Sequence, residues 1–544
     1  MKKIGLLVAL TFVVSTLFAQ KDELDFKGVE VGVPYPVVDA RSKNYFSYED
    51  LIIGVKIDGK KFILQTYHTN KLTLEKIKIY EDFPKGFQVE EFLEINEKVY
   101  LFYSLWDKRN TKEQLFYREI NPESCSFMGK GQLLVTVNGK VSGSTYSKGF
   151  YSFGTADKFD LLTSFDESKL LVQYRKYPKH KKDAINKDVI GLHVFDANLE
   201  KEWGKEVEMP YTEKKMDNLD YTVDNFGDAF MAVRVYRDNT TKLITKEKEI
   251  NYDIELFKFE AGSGNLTQKK INLTTGKFMS SIRLFESGDD KIVVAGYYSD
   301  GGKNGKSFSG ISGLFKFDLV KGESEFNIAY YDIPVEIITQ NMRKKDVAKN
   351  KKKEDKNGKA ALEKLTPDSY FVSEDGSIVI IGEQYYVVAH TSRSSNGSTR
   401  TTYTYHYEDV LITKINKDGS LAWMKKLAKR QMGSSPGKGL SFELVEGKDH
   451  LHLIYMDNIK NKDLDDVTVP ARHRDGAGGF LTAYRIDYNT GEVKKTPLIN
   501  SRNVKGMPIY QYATSRISSN NLDEFIFEAY KKKKEDILIK ITLD

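Results

Sequence analysis

Only one pair among the eight histidines has a spacing that suits a metal ion. His450 and His452 alternate along a predicted strand, which places both imidazoles on one side of it. Two such rings could bind Zn or Cu, but a third ligand is needed and the sequence identifies none. The alternative is a pair of ordinary residues at the edge of a sheet. We therefore expect no metal site here, and we expect no cofactor.

A second candidate for metal binding is an acidic stretch that alternates oxygen donors. Asn461, Asp463, Asp465 and Asp466 have the spacing of a Ca²⁺ loop, but the glycine and the closing glutamate of such a loop are missing. The pattern favours a solvated acidic turn. Asp463 and Asp465 stay as the weaker alternative, a Ca²⁺ site.

The segment from His390 to His406 has the composition of a binding loop. It mixes hydroxyl side chains with arginine and tyrosine, which give amphipathic contacts at low entropic cost. A polar hairpin without a ligand would have the same composition. The candidate binding residues are Arg393, Arg400, Tyr403, Tyr405 and His406.

One insert carries the whole net charge of the chain. Residues 343–364 contain ten basic and four acidic residues, and the net charge of the full chain is +6. The insert has helix-forming composition, and its candidate binding residues are Arg343, Lys344 and Lys345. It could contact an anionic surface such as lipid headgroups or acidic glycans, or be a solvated arm. The rest of the chain is nearly neutral, so we expect no nucleic-acid partner.

The first residues have the pattern of an export signal. A basic start is followed by a short apolar run and a small residue, which predicts a signal peptide over residues 1–19. No later apolar run is long enough to span a membrane. Cys125 is the only cysteine, so no disulfide can form within the chain, and we interpret it as a filler residue. We expect an exported protein of the periplasm or the cell exterior.

These candidates must be positioned by a repeated unit of strands. Eight times along the 544 residues, two apolar strands joined by a polar turn precede a strand of alternating pattern that often ends in a basic and an apolar residue. Near-equivalent units of this size must stack on one another to bury their faces. The third strands of the units start at or near Leu72, Leu115, Ile190, Leu256, Leu314, Leu411, Ala483 and Leu538.

Turns between the strands carry a resemblance to known families. The segment from Asp418 to Trp423 is similar to the Asp-box of sialidase-like propellers, and Asp487 with Gly491 resembles the turn of quinoprotein propellers. Asp196 with Trp203 forms a related turn. In those families, the carboxylate satisfies the turn and the aromatic ring wedges between blades. The resemblance implies an all-β fold, a single β-propeller with eight four-stranded blades, or seven as the alternative.

The predicted propeller spans residues 20–544, and its long connections fall on one face. The segment near 31–38 is expected to close the ring by completing the last blade, and residues 335–366 form the basic insert between blades five and six. Each blade has strands A to D, and the B–C and D–A connections leave a propeller on the same rim. The long ones are 177–188, 237–251, 299–310, 389–407, 457–479, 138–158 and 335–366.

Clustering of long loops on one face favours binding over catalysis. We therefore predict an exported, non-catalytic propeller that binds a protein or glycan partner through this face. The alternative is a propeller hydrolase or lyase that acts on glycans or peptides. The sequence offers no acid/base pair at the ends of the A strands and no Gly-x-Ser-x-Gly motif to support that alternative.

Overall fold

The computed structural model describes most of the chain after the predicted signal peptide. It covers residues 28–543 except 41, 144–157, 181, 246–248, 275, 289–290, 301–309, 321–325, 356–359, 374, 394–397, 438, 465–467 and 532. The predicted signal peptide and two candidate Ca²⁺ ligands, Asp465 and Asp466, lie outside the described residues.

The described residues form eight sheets of four or more strands, which follow one another in chain order and are antiparallel except for one short parallel pair between Gln431–Gly433 and His473–Arg474. We number them sheets 1 to 8 and letter their strands A to D. Sheet 1 consists of Ser42–Tyr48, Leu51–Asp58, Lys61–His68 and Thr73–Tyr80. Sheet 2 consists of Gln88–Ile95, Lys98–Asp107, Lys112–Asn121 and Gln132–Asn138, with Ser126–Phe127 beside the third strand. Sheet 3 consists of Asp160–Thr163, Lys169–Arg175, Lys187–Asp196 and Lys201–Thr212, and sheet 4 of Met216–Val223, Ala229–Tyr236, Tyr252–Phe259 and Leu266–Ile271.

Sheets 5 and 8 each have an A strand in two pieces, and sheet 6 carries two short additional strands. Sheet 5 consists of Lys277–Met279 with Arg283–Glu286, Lys291–Asp300, Gly313–Val320 and Ala329–Asp332, and sheet 6 of Leu365–Val372, Ile378–Arg393, Thr399–Ile415 and Leu421–Leu427, with Gln431–Gly433 and His473–Arg474 added. Sheet 7 consists of Glu443–Glu446, His450–Asp457, Phe480–Asp487 and Val493–Asn500. Sheet 8 consists of Ile509–Gln511 with Ile517–Asn521, Glu524–Lys531, Glu535–Thr542 and the N-terminal Val29–Val31 with Tyr35–Pro36. Gly310–Ile311 pairs separately with Leu362–Glu363.

The sheets are packed in a closed ring. Seven apolar clusters fill the spaces between sheets, and each of them is shared by two sheets that are consecutive in the chain. The eighth cluster, with Tyr35, Ile52, Tyr67 and Leu538, joins sheet 8 to sheet 1. A B strand is apolar on both faces because a sheet packs on each side of it. The all-β propeller predicted from the repeat is therefore confirmed.

The ring is closed by the N-terminal segment. Val29–Val31 pairs with the C strand of sheet 8 in the register Val29 to Ile541, and Tyr35–Pro36 pairs further along the same strand. Pairing thus begins two residues before the predicted segment 31–38. The closure covers an edge that would otherwise be free to pair with another chain.

The strand assignment in the first unit was wrong by one strand. Lys61–His68 and Thr73–Tyr80 are strands C and D, because Ser42–Tyr48 forms an A strand that the sequence analysis missed. That segment is polar and only half-buried, so it lacks the apolar pattern of a core strand.

The predicted loop 389–407 is mostly a paired β-ribbon. The B and C strands of sheet 6 are 16 and 17 residues long and continue beyond the sheet, with Arg393 opposite Thr399. We call residues 385–393 and 399–407 the ribbon. The insert between sheets 5 and 6 contains two helices, Val335–Thr339 and Lys344–Asp355. Within the described part of the chain, no helix combines the length and the apolar character needed to cross a bilayer.

The turn after the C strand of sheet 6 joins sheets 6 and 7. The Asp418 carboxylate accepts hydrogen bonds from the backbone and the hydroxyl of Ser420, at 2.8 and 2.7 Å. Trp423 donates from its indole to the carbonyl of Tyr488 at 3.0 Å. A Cβ at Gly491, where φ is +65°, would lie 2.5 Å from the Trp423 ring, so this close approach requires glycine.

Two further turns have the same construction. Asp196 accepts from two backbone N–H groups of its turn, and Trp203 donates to the carbonyl of Gly227 in the next sheet at 2.9 Å. Asp487 accepts from the backbone and hydroxyl of Thr490, and these hydrogen bonds hold the pKa of its carboxyl below the usual value. These carboxylates and indole rings therefore make hydrogen bonds that stabilise the fold.

Candidate ligand-binding cavity

A cavity of about 780 Å³ opens where the connections of sheets 1, 6, 7 and 8 meet. Its walls come from the start of the A strand of sheet 1 and the residue Ala40 before it, from the D–A connection 428–442, from the B–C connection 458–479 with Met456 at the end of the preceding strand, and from residues 501–516, which include the first piece of the A strand of sheet 8. All of these are B–C or D–A connections or the strand ends that adjoin them. The cavity therefore lies on the face that carries the long loops.

The cavity wall is rich in basic groups. Arg502 donates to the carbonyl of Gly476 at 2.8 Å and lies over the ring of Tyr510 at 5.3 Å. Arg516 and Lys43 line the same space. Asp475 is the acidic residue among the lining groups, and Lys43 pairs with Glu528 at 3.0 Å, so the basic character of the lining comes from Arg502 and Arg516. An anionic group is the complementary ligand.

Three buried polar atoms of the lining residues have no hydrogen-bond partner among the described residues. They are Nη1 of Arg516, Oη of Tyr512 and Nδ1 of His473. Leaving such an atom unpaired costs about 1–3 kcal/mol, which a bound ligand can recover. Burial lowers the pKa of His473 to about 4, so its ring is neutral at pH 7.

A polar network holds the wall between sheets 6 and 7 in place. Ser441, with φ of +69°, donates from its hydroxyl to Glu383 at 2.8 Å and from its backbone to Gln431 at 2.7 Å. Lys429 contacts both Glu383 and Gln431, and these four side chains are buried. A fully paired network of this kind fixes the backbone of a binding site.

Two carboxyl groups with perturbed pKa values lie on the A strands of sheets 6 and 7, outside the residues that line the cavity. Asp368 is exposed, and partial loss of hydration beside the surrounding protein, followed by the charge of Glu383, raises its pKa to about 6. Burial and then Asp368 raise the pKa of Glu443 to about 8. Glu443 also contributes to the raised pKa of Tyr512 in the cavity wall. At neutral pH, one carboxyl is mostly ionised while the other is mostly protonated, which is the arrangement of an acid/base pair.

The predicted ribbon residues do not line this cavity. Tyr403 and Tyr405 share one face of the ribbon with Arg393, whereas Arg400 and His406 lie on the other face. Tyr403 is 52% exposed. His406 is stacked on Tyr386, with the ring centroids 4.4 Å apart.

The insert residues are also remote from the cavity lining. Arg343, Lys344 and Lys345 are exposed at the start of the second helix, and Arg343 pairs with Asp346 at 2.8 Å. The charges of these three residues are therefore exposed at the protein surface.

The acidic stretch has one potential Ca²⁺ ligand fewer than its sequence suggests, because Asn461 is already hydrogen-bonded within the protein. Asn461 is buried, donates to Asp457 at 2.7 Å, and accepts from the backbone of Ala471 at 2.8 Å. Its amide is thus engaged by the protein, while Asp463 is exposed. Asp465 is outside the described residues.

Cys125 is buried at the interface of sheets 1 and 2. Burial raises the pKa of its thiol, which disfavours the reactive thiolate.

Sequence reasoning missed the cavity because its walls come from four separate connections. A local signal existed in two glycine-rich loops, Gly433–Gly439 and Arg474–Gly479, which allow close backbone approach and form two of the walls. Sequence reasoning also missed Asp523, which lies beside His450 and His452 as a third potential metal ligand, because it belongs to the next sheet.

No protein-family model matches the chain, and no curated protein matches it. Among solved structures, the chain is similar to the β-propeller domain of the Trilobed protease from Pyrococcus furiosus, with 10% identity and a TM-score of 0.30 over 73% of this chain and 98% of that one. It is also similar to a post-proline cleaving enzyme from Rickettsia typhi, with 10% identity and a TM-score of 0.38 over 92% of this chain and 58% of that one.

A third similar structure is an uncharacterized protein from Listeria monocytogenes, with 11% identity and a TM-score of 0.36 over 82% of this chain and 94% of that one. The chain thus spans little more than half of the Rickettsia enzyme. These similarities say nothing about a ligand or a reaction. The closed ring of sheets defines the protein as a β-propeller with a basic cavity on its long-loop face.

Proposed function

We propose that this protein is an exported, non-catalytic β-propeller that binds an acidic oligosaccharide in the cavity on its long-loop face. The observation that carries the proposal is the set of unpaired polar atoms on Arg516, Tyr512 and His473 around one basic cavity. Carboxylate groups of the sugar would pair with the guanidinium groups of Arg502 and Arg516.

The lining favours a sugar over a peptide. Serine, glycine and charged residues make up about half of it, and their hydroxyl, backbone and charged groups suit the many hydroxyls of a sugar. Tyr510 is 36% exposed at the rim and offers a ring on which a sugar can stack.

Titration calorimetry with a short oligouronate and with a neutral oligosaccharide of the same length tests this proposal. We expect binding of the oligouronate only, and a loss of about tenfold or more in affinity for Arg502→Ala. Arg474→Ala is the matched control, because Arg474 is exposed in the neighbouring connection 458–479 but does not line the cavity. Equal binding of the charged and neutral sugars would overturn the proposal.

A second candidate function is hydrolysis or elimination on an acidic glycan. The raised pKa values of Asp368 and Glu443 favour it, because a protonated and an ionised carboxyl can act as general acid and general base. Product analysis after incubation of wild type with the oligouronate distinguishes the two functions. Cleavage that disappears in both Asp368→Asn and Glu443→Gln supports catalysis, whereas an intact sugar supports binding alone.

Export and surface contact belong to the same proposal. Cleavage after Ala19 would give a mature chain that begins at Gln20, which N-terminal sequencing of the protein from the cell envelope or medium would detect. The exposed basic insert would then meet anionic surfaces. A chain that retains Met1 and stays in the cytoplasm would contradict export.

A further inference from the structure

Three potential metal ligands meet at the rim opposite the cavity. His450 and His452 lie on the B strand of sheet 7, and Asp523 lies in the turn between strands A and B of sheet 8. The two imidazole rings are 4.7 Å apart and nearly perpendicular, at 87°. Alternation along the strand places both rings on the same face.

The potential ligand atoms converge on one point. The Nε2 atoms of His450 and His452 each lie 2.8 Å from Oδ1 of Asp523. Ligand atoms of all three residues lie within 4.8 Å of one another. The histidine rings are buried, whereas the side chain of Asp523 is 23% exposed, so the cluster opens to solvent on the carboxylate side.

The backbone holds this geometry. Asp523 donates from its backbone to the carbonyl of Glu446 at 2.9 Å, and its carboxylate accepts from the backbone of Lys448 at 3.3 Å. A Cβ at Gly447 would lie 2.2 Å from Oδ1 of Asp523, so glycine leaves the room that the carboxylate occupies. The turns of two sheets are therefore fixed against each other at the cluster.

We propose that His450, His452 and Asp523 bind one Zn²⁺ ion that joins sheet 7 to sheet 8. Two imidazoles and one carboxylate are a common set of protein ligands for Zn²⁺, with solvent in the fourth position. Tetrahedral coordination at about 2.0–2.1 Å separates ligand atoms by about 3.3 Å. The 2.8 Å contacts must therefore widen by roughly half an ångström, which side-chain rotation can provide.

Arg485 competes with the metal ion and lowers the affinity of the site for Zn²⁺. Its Nη2 lies 3.2 Å from Nδ1 of His450. A guanidinium can only donate, so Nδ1 accepts and the neutral ring carries its proton on Nε2. When Zn²⁺ binds Nε2, this proton moves to Nδ1 and the guanidinium must leave. Arg485 is partly exposed and can rotate toward solvent.

Metal binding would reinforce the ring beside its closing sheet. An ion that binds only the folded state stabilises it by about 2.7 kcal/mol when its concentration is 100 times the dissociation constant. Because the cluster lies away from the cavity, the inference does not depend on the proposed ligand. It requires only that the two turns stay together.

Thermal unfolding and titration calorimetry of chelator-treated full-length protein with ZnCl₂ test the proposal. We expect one Zn²⁺ per chain and a rise in Tm for wild type, and neither for His452→Gln or Asp523→Asn. His390→Gln, in the exposed ribbon, is the matched control and should keep the wild-type response. Co²⁺ in place of Zn²⁺ should give the visible absorption of a tetrahedral site, which a nonspecific effect would not.

Arg485→Gln supplies the second arm of the test. We expect it to tighten Zn²⁺ binding by about tenfold, the scale on which outer-shell partners change metal affinity. The response of this variant shows whether Arg485 competes with the ion even if the ligand variants fold poorly. Equal Zn²⁺ binding by wild type, His452→Gln and Arg485→Gln would overturn the proposal, as would no binding by wild type.

Discussion

The seam between sheets 8 and 1 and the cavity on the long-loop face both contain buried polar groups, but the two regions pair them differently. In the seam, Glu528 pairs with Lys56 at 2.5 Å and with Lys43 at 3.0 Å. Tyr35 and Tyr67 donate to the same carboxylate at 3.0 and 3.1 Å. In the cavity, three buried polar atoms lack a partner among the described residues. In the seam, Tyr45 Oη and Asp536 Oδ1 also lack a partner among the described residues, but four donors converge on Glu528 and hold the ring closed, whereas the unpaired atoms of the cavity surround an open space that a ligand can enter.

The pKa values in the seam reflect this pairing. Burial by itself would raise the pKa of Glu528, but Lys56 and Lys43 hold it well below its usual value. Burial and the nearby Glu528 raise the pKa of Asp536 to about 6. The seam therefore keeps one carboxylate firmly ionised as the partner of two lysines.

The largest effect is expected from breaking the seam. Glu528→Ala leaves the buried Lys56 with only the more distant carboxylate of Asp536, at 3.7 Å, and loss of one member of a buried pair costs about 3–5 kcal/mol. Urea unfolding measures the change. Glu81→Ala is the matched control, because its pair with Lys61 is exposed and is worth about 1 kcal/mol or less. Similar losses for the two variants would show that the seam is no stronger than a surface ion pair.

The second effect concerns Glu443 on the A strand of sheet 7. Its folded-state pKa of about 8 lies above the unfolded value, so its contribution to stability is complete below about pH 4 and is lost as the pH rises to 8. Glu443→Gln should remove this loss and exceed wild type by about 1–3 kcal/mol at pH 8. Urea midpoints between pH 5 and 9 measure it. Parallel pH profiles for variant and wild type would contradict the assignment.

A pair of tyrosine variants sharpens the comparison directly. Tyr67→Phe removes a hydrogen bond to a charged group and should cost about 1.5–3 kcal/mol. Tyr512→Phe removes a hydroxyl with no protein partner, so it should be neutral or stabilising by up to about 1 kcal/mol. Thermal unfolding of both variants measures the difference. Equal destabilisation would mean that the cavity hydroxyl is as well paired as the one in the seam.

The repeat could be predicted because burial on both faces leaves apolar B strands, such as Val99–Tyr103 and Leu451–Tyr455, at regular spacing. The first unit could not be assigned correctly, since Leu51–Asp58 and Lys61–His68 are both apolar and their order in the sheet depends on the polar Ser42–Tyr48. Local pattern identifies strands, whereas position within a sheet is a tertiary property.

The functional regions were harder to predict, for a physical reason. The ribbon is one continuous segment, so its composition could be recognised directly in the sequence. The cavity joins Lys43 to Arg516, and the proposed metal site joins His450 to Asp523. Ring closure and sheet packing bring these residues together, and a single sequence contains no record of such long-range contacts.

The most direct test of the central claim measures stability and affinity on one variant. Arg516→Met removes a guanidinium whose Nη1 is unpaired in the described structure. We predict that its urea midpoint stays close to that of wild type while its affinity for the oligouronate falls by about tenfold or more. Unchanged affinity together with a clear loss of stability would contradict the account, because Arg516 would then support the fold and not the ligand.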